Sequence, residues 1–211
     1  MKKNKMLRIA SVLLVAVLLS TCAISGTFAK YTSSATLTST ATVAKWSVEV
    51  NDTQIALASG SSDPVVAFDL FGKSYDLKAD GTVDTTEDEQ IKKEGNLIAP
   101  GCGGYYDMKI ENLSEVDAQY SIDFSLTNSS SIPLEFCLSN SATAADWKSS
   151  IDDLDVSATG IAMGTGTATV TLYWRWAFGG DATTGTDLGV AAQGTAPTAT
   201  VTAAITVEQV D

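Results

Sequence analysis

The sequence predicts an all-β protein built as an antiparallel sandwich and preceded by a helical leader. Three observations carry that expectation. Five stretches alternate apolar and polar residues with period two, the pattern of strands that bury one face and wet the other. Gly, Asn and Ser clusters punctuate those stretches as turns do. A continuous apolar run lies next to the N-terminus, ahead of all five stretches. The chain has 211 residues, enough for one sizeable domain and short for two.

The leader has three parts in order. Residues 1–8 are basic, with Lys2, Lys3, Lys5 and Arg8. Residues 9–19 are apolar apart from Ser11. Residues 20–29 are rich in small side chains and place Thr27 and Ala29 at the −3 and −1 positions of a cut. This is the layout of a secretory signal peptide cleaved between Ala29 and Lys30. The uninterrupted apolar core falls short of the about 20 residues that a bilayer span needs. A membrane anchor ending near Ile24 is the rival assignment. A lipidated Cys22 ranks lower, because Thr21 is a poor residue immediately before a lipidated cysteine. The expected plan is residues 1–29 as signal peptide, 30–43 as an N-terminal segment and 44–211 as the sandwich.

Residues 30–42 are rich in Thr, short of charge and free of Pro and Gly. In an extended chain Tyr31, Ser33, Ala35, Leu37, Ser39, Ala41 and Val43 share one face. The segment is able to form a strand but carries too little apolar surface to fold alone. It is a tail, an ordinary first strand, or a strand for the sheet edge of another subunit.

The five alternating stretches follow. Ala44, Trp46, Val48 and Val50 share one face, against Lys45, Ser47 and Glu49. Tyr106, Met108 and Ile110 alternate with Asp107, Lys109 and Glu111. Ala118, Tyr120, Ile122, Phe124 and Leu126 form the third apolar face. Val170, Leu172, Trp174 and Trp176 form the fourth, with Thr169, Thr171, Tyr173 and Arg175 expected to face water. Val201, Ala203, Ile205 and Val207 form the fifth. Such strands build antiparallel sheets. Pro100-Gly101 with Gly103-Gly104 marks a tight turn, and Asn112-Leu113-Ser114 a hairpin-like connection. Residues 144–154 are expected to form a short helix, and residues 76–95 and 179–197 long loops.

Charge and residue types narrow the chemistry. The formal net charge is −12, and removal of residues 1–29 leaves nine basic residues against 25 acidic. So acidic a chain repels nucleic acid and anionic membrane surfaces, and membrane contact is expected only through the uncleaved leader. The absence of histidine removes most catalytic triads and zinc sites. No catalytic constellation stands out, and neither a cofactor nor an enzymatic activity is expected. "DLKADGTVDTTE" places Asp76, Asp80, Asp84 and Glu87 at calcium-loop positions, but Lys78 puts a cation where a ligand belongs. A solvated acidic loop is the better assignment. Trp174, Trp176 and Phe178 could form a carbohydrate platform, but their alternation favours core packing. Cys102 and Cys137 remain after cleavage, either as a disulfide or as two separate thiols. Cys137 should point away from the face that Phe136 and Leu138 bury, so a bridge there would be a surface staple.

Several stretches together resemble a known family. They are "GTFAKYTSSATLTSTATVAKWSVEVN", "FDLFGKSYD", "LIAPGCGGYYDMKIENLSEVDAQYSIDFSLTNSSSIPLEFCLS", "YWRWAFGGDATTGTDLG" and "ITVEQVD". The chain resembles the TasA/camelysin (CalY-like) secreted proteins of Gram-positive bacteria, whose signal peptide is cut by a SipW-type peptidase. The resemblance implies a jelly-roll β-sandwich that serves as a fibre subunit of the extracellular biofilm matrix. It implies assembly by donor-strand exchange, in which the segment freed by cleavage adds to the next subunit. On this sequence the donor is residues 30–43. Partners implied are further copies of the chain, the signal peptidase, and other matrix proteins or polysaccharide. Camelysins have been described as metalloproteases; without histidine or a zinc motif, that activity does not carry over. A monomeric surface module binding polysaccharide or protein is the alternative.

Overall fold

The structure is a computed structural model that describes residues 5–24, 39–55, 66–86, 96–178 and 182–210. The chain divides into two compact units, Met1–Thr42 and Val43–Asp211. Among the described residues, the first contains the helix α1 (Lys5–Ile24). Its sequence has no Gly or Pro, so nothing in it breaks the helix. Side chains 5–21 are all exposed. Among the described residues, no helix is long and apolar enough to cross a membrane.

The second unit is mostly strand. It contains β1 (Val48–Val50), β2 (Thr53–Gln54), β3 (Tyr75–Asp76), β4 (Cys102–Asn112) and β5 (Ala118–Thr127). These are followed by β6 (Glu135–Cys137), β7 (Val156–Ile161), β8 (Gly166–Arg175), a helix α2 (Ala182–Ala191) and β9 (Thr200–Gln209). Every strand pairing is antiparallel. One sheet runs β2-β1-β4-β8-β6 with β3 also on β4, and the other runs β7-β5-β9. From β4 to β9 successive strands alternate between the two sheets. Each connection in that stretch therefore crosses from one layer to the other.

The alternation in the sequence sets which residues meet in the middle. Met108, Ile110, Leu172 and Trp174 of the larger sheet share one core with Tyr120, Ile122, Phe124, Ile161 and Val201 of the smaller. Each large side chain so buried contributes roughly 1.5–3 kcal/mol. The β4–β8 register runs without a break from Gly103↔Arg175 to Asn112↔Gly166. Gly104 lies where β4 is squeezed: a Cβ there would stand 2.5 Å from the Lys73 carbonyl and 2.6 Å from Trp174 Nε1. Pro100-Gly101 does form the expected turn, with Gly101 at φ +85°.

Four expectations need correction. The first alternating stretch is a strand only over β1, and Trp46 remains 38% exposed. Asn51 and Asp52, both at positive φ, form a two-residue turn into β2. Asn112-Leu113-Ser114 is not a hairpin connection, because β4 and β5 lie in different sheets. Residues 113–117 arch over the end of the sandwich instead. Residues 144–154 form two single 3-10 turns, Ala144–Asp146 and Ile151–Asp153. Between them the Lys148 backbone exchanges two hydrogen bonds with Phe136 of β6, which keeps the chain extended there. Finally, α2 lies inside the expected 179–197 loop. Two glycines and three threonines give it weak intrinsic propensity. Leu188, packed on the core, ties it down.

Candidate assembly surfaces

The strands give the sandwich two ends. At one end lies the arch of residues 113–117. At the other lie the Gly101 turn, Ile132 after β5, and α2.

Asn112 organises the arch from a position fully shielded from solvent. Its Nδ2 donates to the Val116 carbonyl (3.0 Å) and the Ile161 carbonyl (3.1 Å). Its Oδ1 accepts from the Ser114 amide (3.0 Å). Ser114 Oγ then accepts from the Ser47 amide and donates to the Ser47 carbonyl. Glu115 exchanges two hydrogen bonds with Lys45, one through its carboxylate and one through its amide. Asp117 accepts from the Met163 amide with its carboxylate and from the Val210 amide with its carbonyl. The chain therefore enters the sandwich at Lys45 and leaves it at Val210 at this same end.

β9 presents an open edge. Among the described residues it pairs only with β5, from Thr200↔Thr127 to Gln209↔Ala118. About half the backbone groups of such an edge point outward unpaired. Burial also falls across one strand's width. Tyr120, Ile122 and Phe124 of β5 are buried, whereas their partners Val207, Ile205 and Ala203 on β9 are only half-buried. Ala203, Ile205 and Val207 thus stand at the margin of the core, packed against it on one side.

The sequence-derived assembly face lies partly outside the described residues: Tyr31, Ser33, Ala35 and Leu37 do, as does the Thr27, Ala29 and Lys30 junction. Ser39, Ala41 and Val43 are described, exposed and in no strand, with Val43 at 92% exposure.

The acidic loop folds onto itself. Leu77 and Val83 form a β-bridge around a turn closed by Gly81 at φ +83°. Asp80 Oδ1 accepts from the Thr82 hydroxyl and amide, and Asp84 Oδ1 from those of Thr86. These bonds, the hydroxyl first, hold both carboxyls below their ordinary 3.8. Lys78 sits 3.4 Å from Asp84. Asp76 stands in β3, and Glu87 lies outside the described residues. Among the described residues, no group of three or more acidic or cysteine side chains is gathered for a metal.

The outer face of the larger sheet is less wet than its alternation suggests. Arg175, expected in water, has a side chain only 7% exposed. Its Nε donates to Glu135 Oε2 (2.7 Å), an Nη donates to the Gly81 carbonyl (2.9 Å), and its guanidinium lies 4.2 Å from the Trp147 ring centre. Tyr75, Val83, Cys137 and Trp147 form a second small core there. The acidic loop and the 139–148 segment thus cover the sheet, held by the arginine. Sequence reasoning missed this cluster; a lone arginine among Trp and Tyr was its only signal.

That cover also decides the cysteines. Tyr105, Tyr173 and Cys137 occupy one cross-strand row and so one face. Cys102 has the parity of Gly104 and belongs to the central core on the other face. The two are separate buried thiols, not a surface staple. Burial pushes the Cys102 thiol up. Of the aromatic group, Trp174 and Trp176 are core, but Phe178 is 77% exposed and lies against Gly101.

No known protein family, curated protein or solved structure matches this chain.

Proposed function

We propose that this chain is an exported structural protein, a self-assembling fibre subunit of an extracellular matrix or cell surface, with no catalytic role. In this reading the sandwich is of jelly-roll type, residues 1–29 are its signal peptide, and residues 30–43 are the strand that joins subunits. The alternation of β4 to β9 between two layers supports the jelly-roll assignment.

One observation carries the assembly: β9 and the entry of the chain are oriented so that the segment cannot pair antiparallel with its own edge. β9 runs from the α2 end to the arch end. Antiparallel pairing would require residue 43 at the α2 end. Lys45 is bonded to Glu115 at the arch end. Ten strand residues, about 33 Å, separate the two. A second copy, placed beyond the arch end, removes the conflict and offers its β9 in the right direction. Residues 30–43 extend to roughly 46 Å, enough to cover that edge. The added strand satisfies the unpaired backbone and covers Ala203, Ile205 and Val207.

The test is electron microscopy of the secreted protein, with its N-terminal residue determined. A start at Lys30 and filaments are expected. Deletion of residues 30–42 should leave monomers, and a free peptide of residues 30–43 should block growth. Filaments that persist after the deletion would rule out strand addition.

A further inference from the structure

We infer that successive copies dock end to end, with Trp46, Met163 and Val210 at the arch end of one seated on the apolar groove at the α2 end of the next. The inference rests on the self-assembly proposed above and adds the contact that sets its register.

Three exposed large apolar side chains, Trp46, Met163 and Val210, belong to segments bonded to the arch. Met163 and Val210 are 58% and 42% exposed, and both are anchored through their amides to Asp117. Trp46 lies between Lys45 and Ser47, which bond Glu115 and Ser114. Three large apolar groups are thus fixed to five residues of arch. Exposed apolar groups gathered at one end of the sandwich offer a contact surface.

The opposite end carries a groove of about 200 Å³. Leu97, Pro100, Ile132, Trp176, Leu188 and Pro197 line it. Gly185 and Gly189 of α2 keep its wall low: a Cβ at Gly185 would stand 3.1 Å from Pro100. The volume lies below the about 300–1,000 Å³ typical of small-molecule sites. It suits one or two protruding side chains.

The occupant is a second copy because knob and groove lie at opposite ends of the same strands. β4 starts beside the groove and ends at the arch. A knob that fits a pocket elsewhere on the same molecule makes a heterologous contact, which builds a ring if its rotation closes and a filament if it does not; with knob and groove at opposite ends of the same strands, successive copies advance along the strands and the contact stays open. The chain also enters at the knob end, so this stacking brings residues 30–43 to the neighbour's β9 edge. Stable interfaces bury about 1,200–2,000 Å², more than a knob in this groove supplies, and the added strand makes up the difference.

The test uses the mature secreted protein and four variants. Met163→Asp and Trp46→Asp spoil the knob; Leu97→Asp and Leu188→Asp spoil the groove. Met163 and Leu97 are exposed positions, so those two should keep the parent's near-ultraviolet dichroism, and a variant that loses it is replaced by its counterpart. Sedimentation velocity and microscopy are expected to show at least a tenfold loss of filament mass for each variant alone. An equimolar mixture of one knob and one groove variant should give pairs that grow no further. If every folded variant polymerises like the parent while deletion of residues 30–42 still abolishes filaments, end docking is wrong and strand addition stands. If a single variant forms pairs with itself, the contact is not head to tail and the inference is overturned. If the parent never assembles, both readings fall.

Discussion

Asn112→Ala should be the most damaging single polar substitution at the arch. The change removes three hydrogen bonds and puts nothing in their place. Two of the stranded groups, the Ser114 amide and the Ile161 carbonyl, are buried, and the Val116 carbonyl is partly so. Each buried group left unpaired costs about 1–3 kcal/mol, which puts the total near 3–5 kcal/mol. Domains are stable by only about 5–15 kcal/mol, so the loss is a large fraction of the whole. At about 2–4 °C per kcal/mol for a unit of this size, Tm should fall by roughly 6–20 °C. Urea melts followed by tryptophan fluorescence measure it: the midpoint should drop with the slope unchanged. Asn112→Asp is the control of equal size. It aims an acceptor at the Val116 and Ile161 carbonyls, and burial raises its folded pKa above the unfolded value. Its penalty should therefore be greatest above the folded pKa and shrink as the pH falls below it, where the protonated acid donates one bond. A cost below about 1 kcal/mol for Asn112→Ala would refute the idea that this side chain holds the arch.

Four further outcomes follow from the geometry. Neither Cys102 nor Cys137 should react quickly with a disulfide reagent until the protein is unfolded, and mild oxidant should leave both thiols; loss of two hydrogens by mass would contradict the opposite-face placement. Arg175→Met should cost about 2–3 kcal/mol, less than a fully buried pair because Glu135 is 35% exposed, and should speed exchange of the Val83 amide; an unchanged exchange rate would sink the locking role. Asp80 and Asp84 have folded pKa values below 3.8, so the stability they add is present above 3.8 and is lost as the pH falls through the lowered values. Carboxyl titration by NMR should place both midpoints below 3.8, and Thr82→Val should move Asp80 back up; a midpoint at or above 3.8 in the parent would contradict the loop geometry. Gly104→Ala should destabilise by about 2 kcal/mol or more by thermal melting, since neither the Lys73 carbonyl nor the core Trp174 can give way; a neutral result would mean β4 is not confined there.

The alternating stretches were legible because strand faces obey a purely local rule. β5 is the clearest case: Ala118, Tyr120, Ile122 and Phe124 were expected to be buried and are. The open edge of β9 was not legible, because its inward residues read the same whether or not a further strand covers them. The arch was not legible either. Asn112-Leu113-Ser114 has the composition of a hairpin turn, and only the shielding of Asn112 and its bonds to Val116 and Ile161 reveal a crossing between layers. Lys78, the residue that departs from the calcium-loop pattern, pairs with Asp84, a contact between side chains six positions apart that the pattern alone does not give.

What the sequence determined by itself is the period of the long strands, the face each apolar residue shares with its neighbours, and the order of basic, apolar and small residues over positions 1–29. All three depend on residues within a few positions of one another. The tertiary structure alone decided which sheet each strand joins, and therefore that β4 to β9 alternate between layers. It also decided that a face read as wet holds Cys137 and Trp147 in a second core beside Arg175, and that weak residues such as those of α2 are held helical. Alternation tells which side chains point the same way. It cannot tell what covers them, because the covering residues lie up to 94 positions away, as Gly81 does from Arg175.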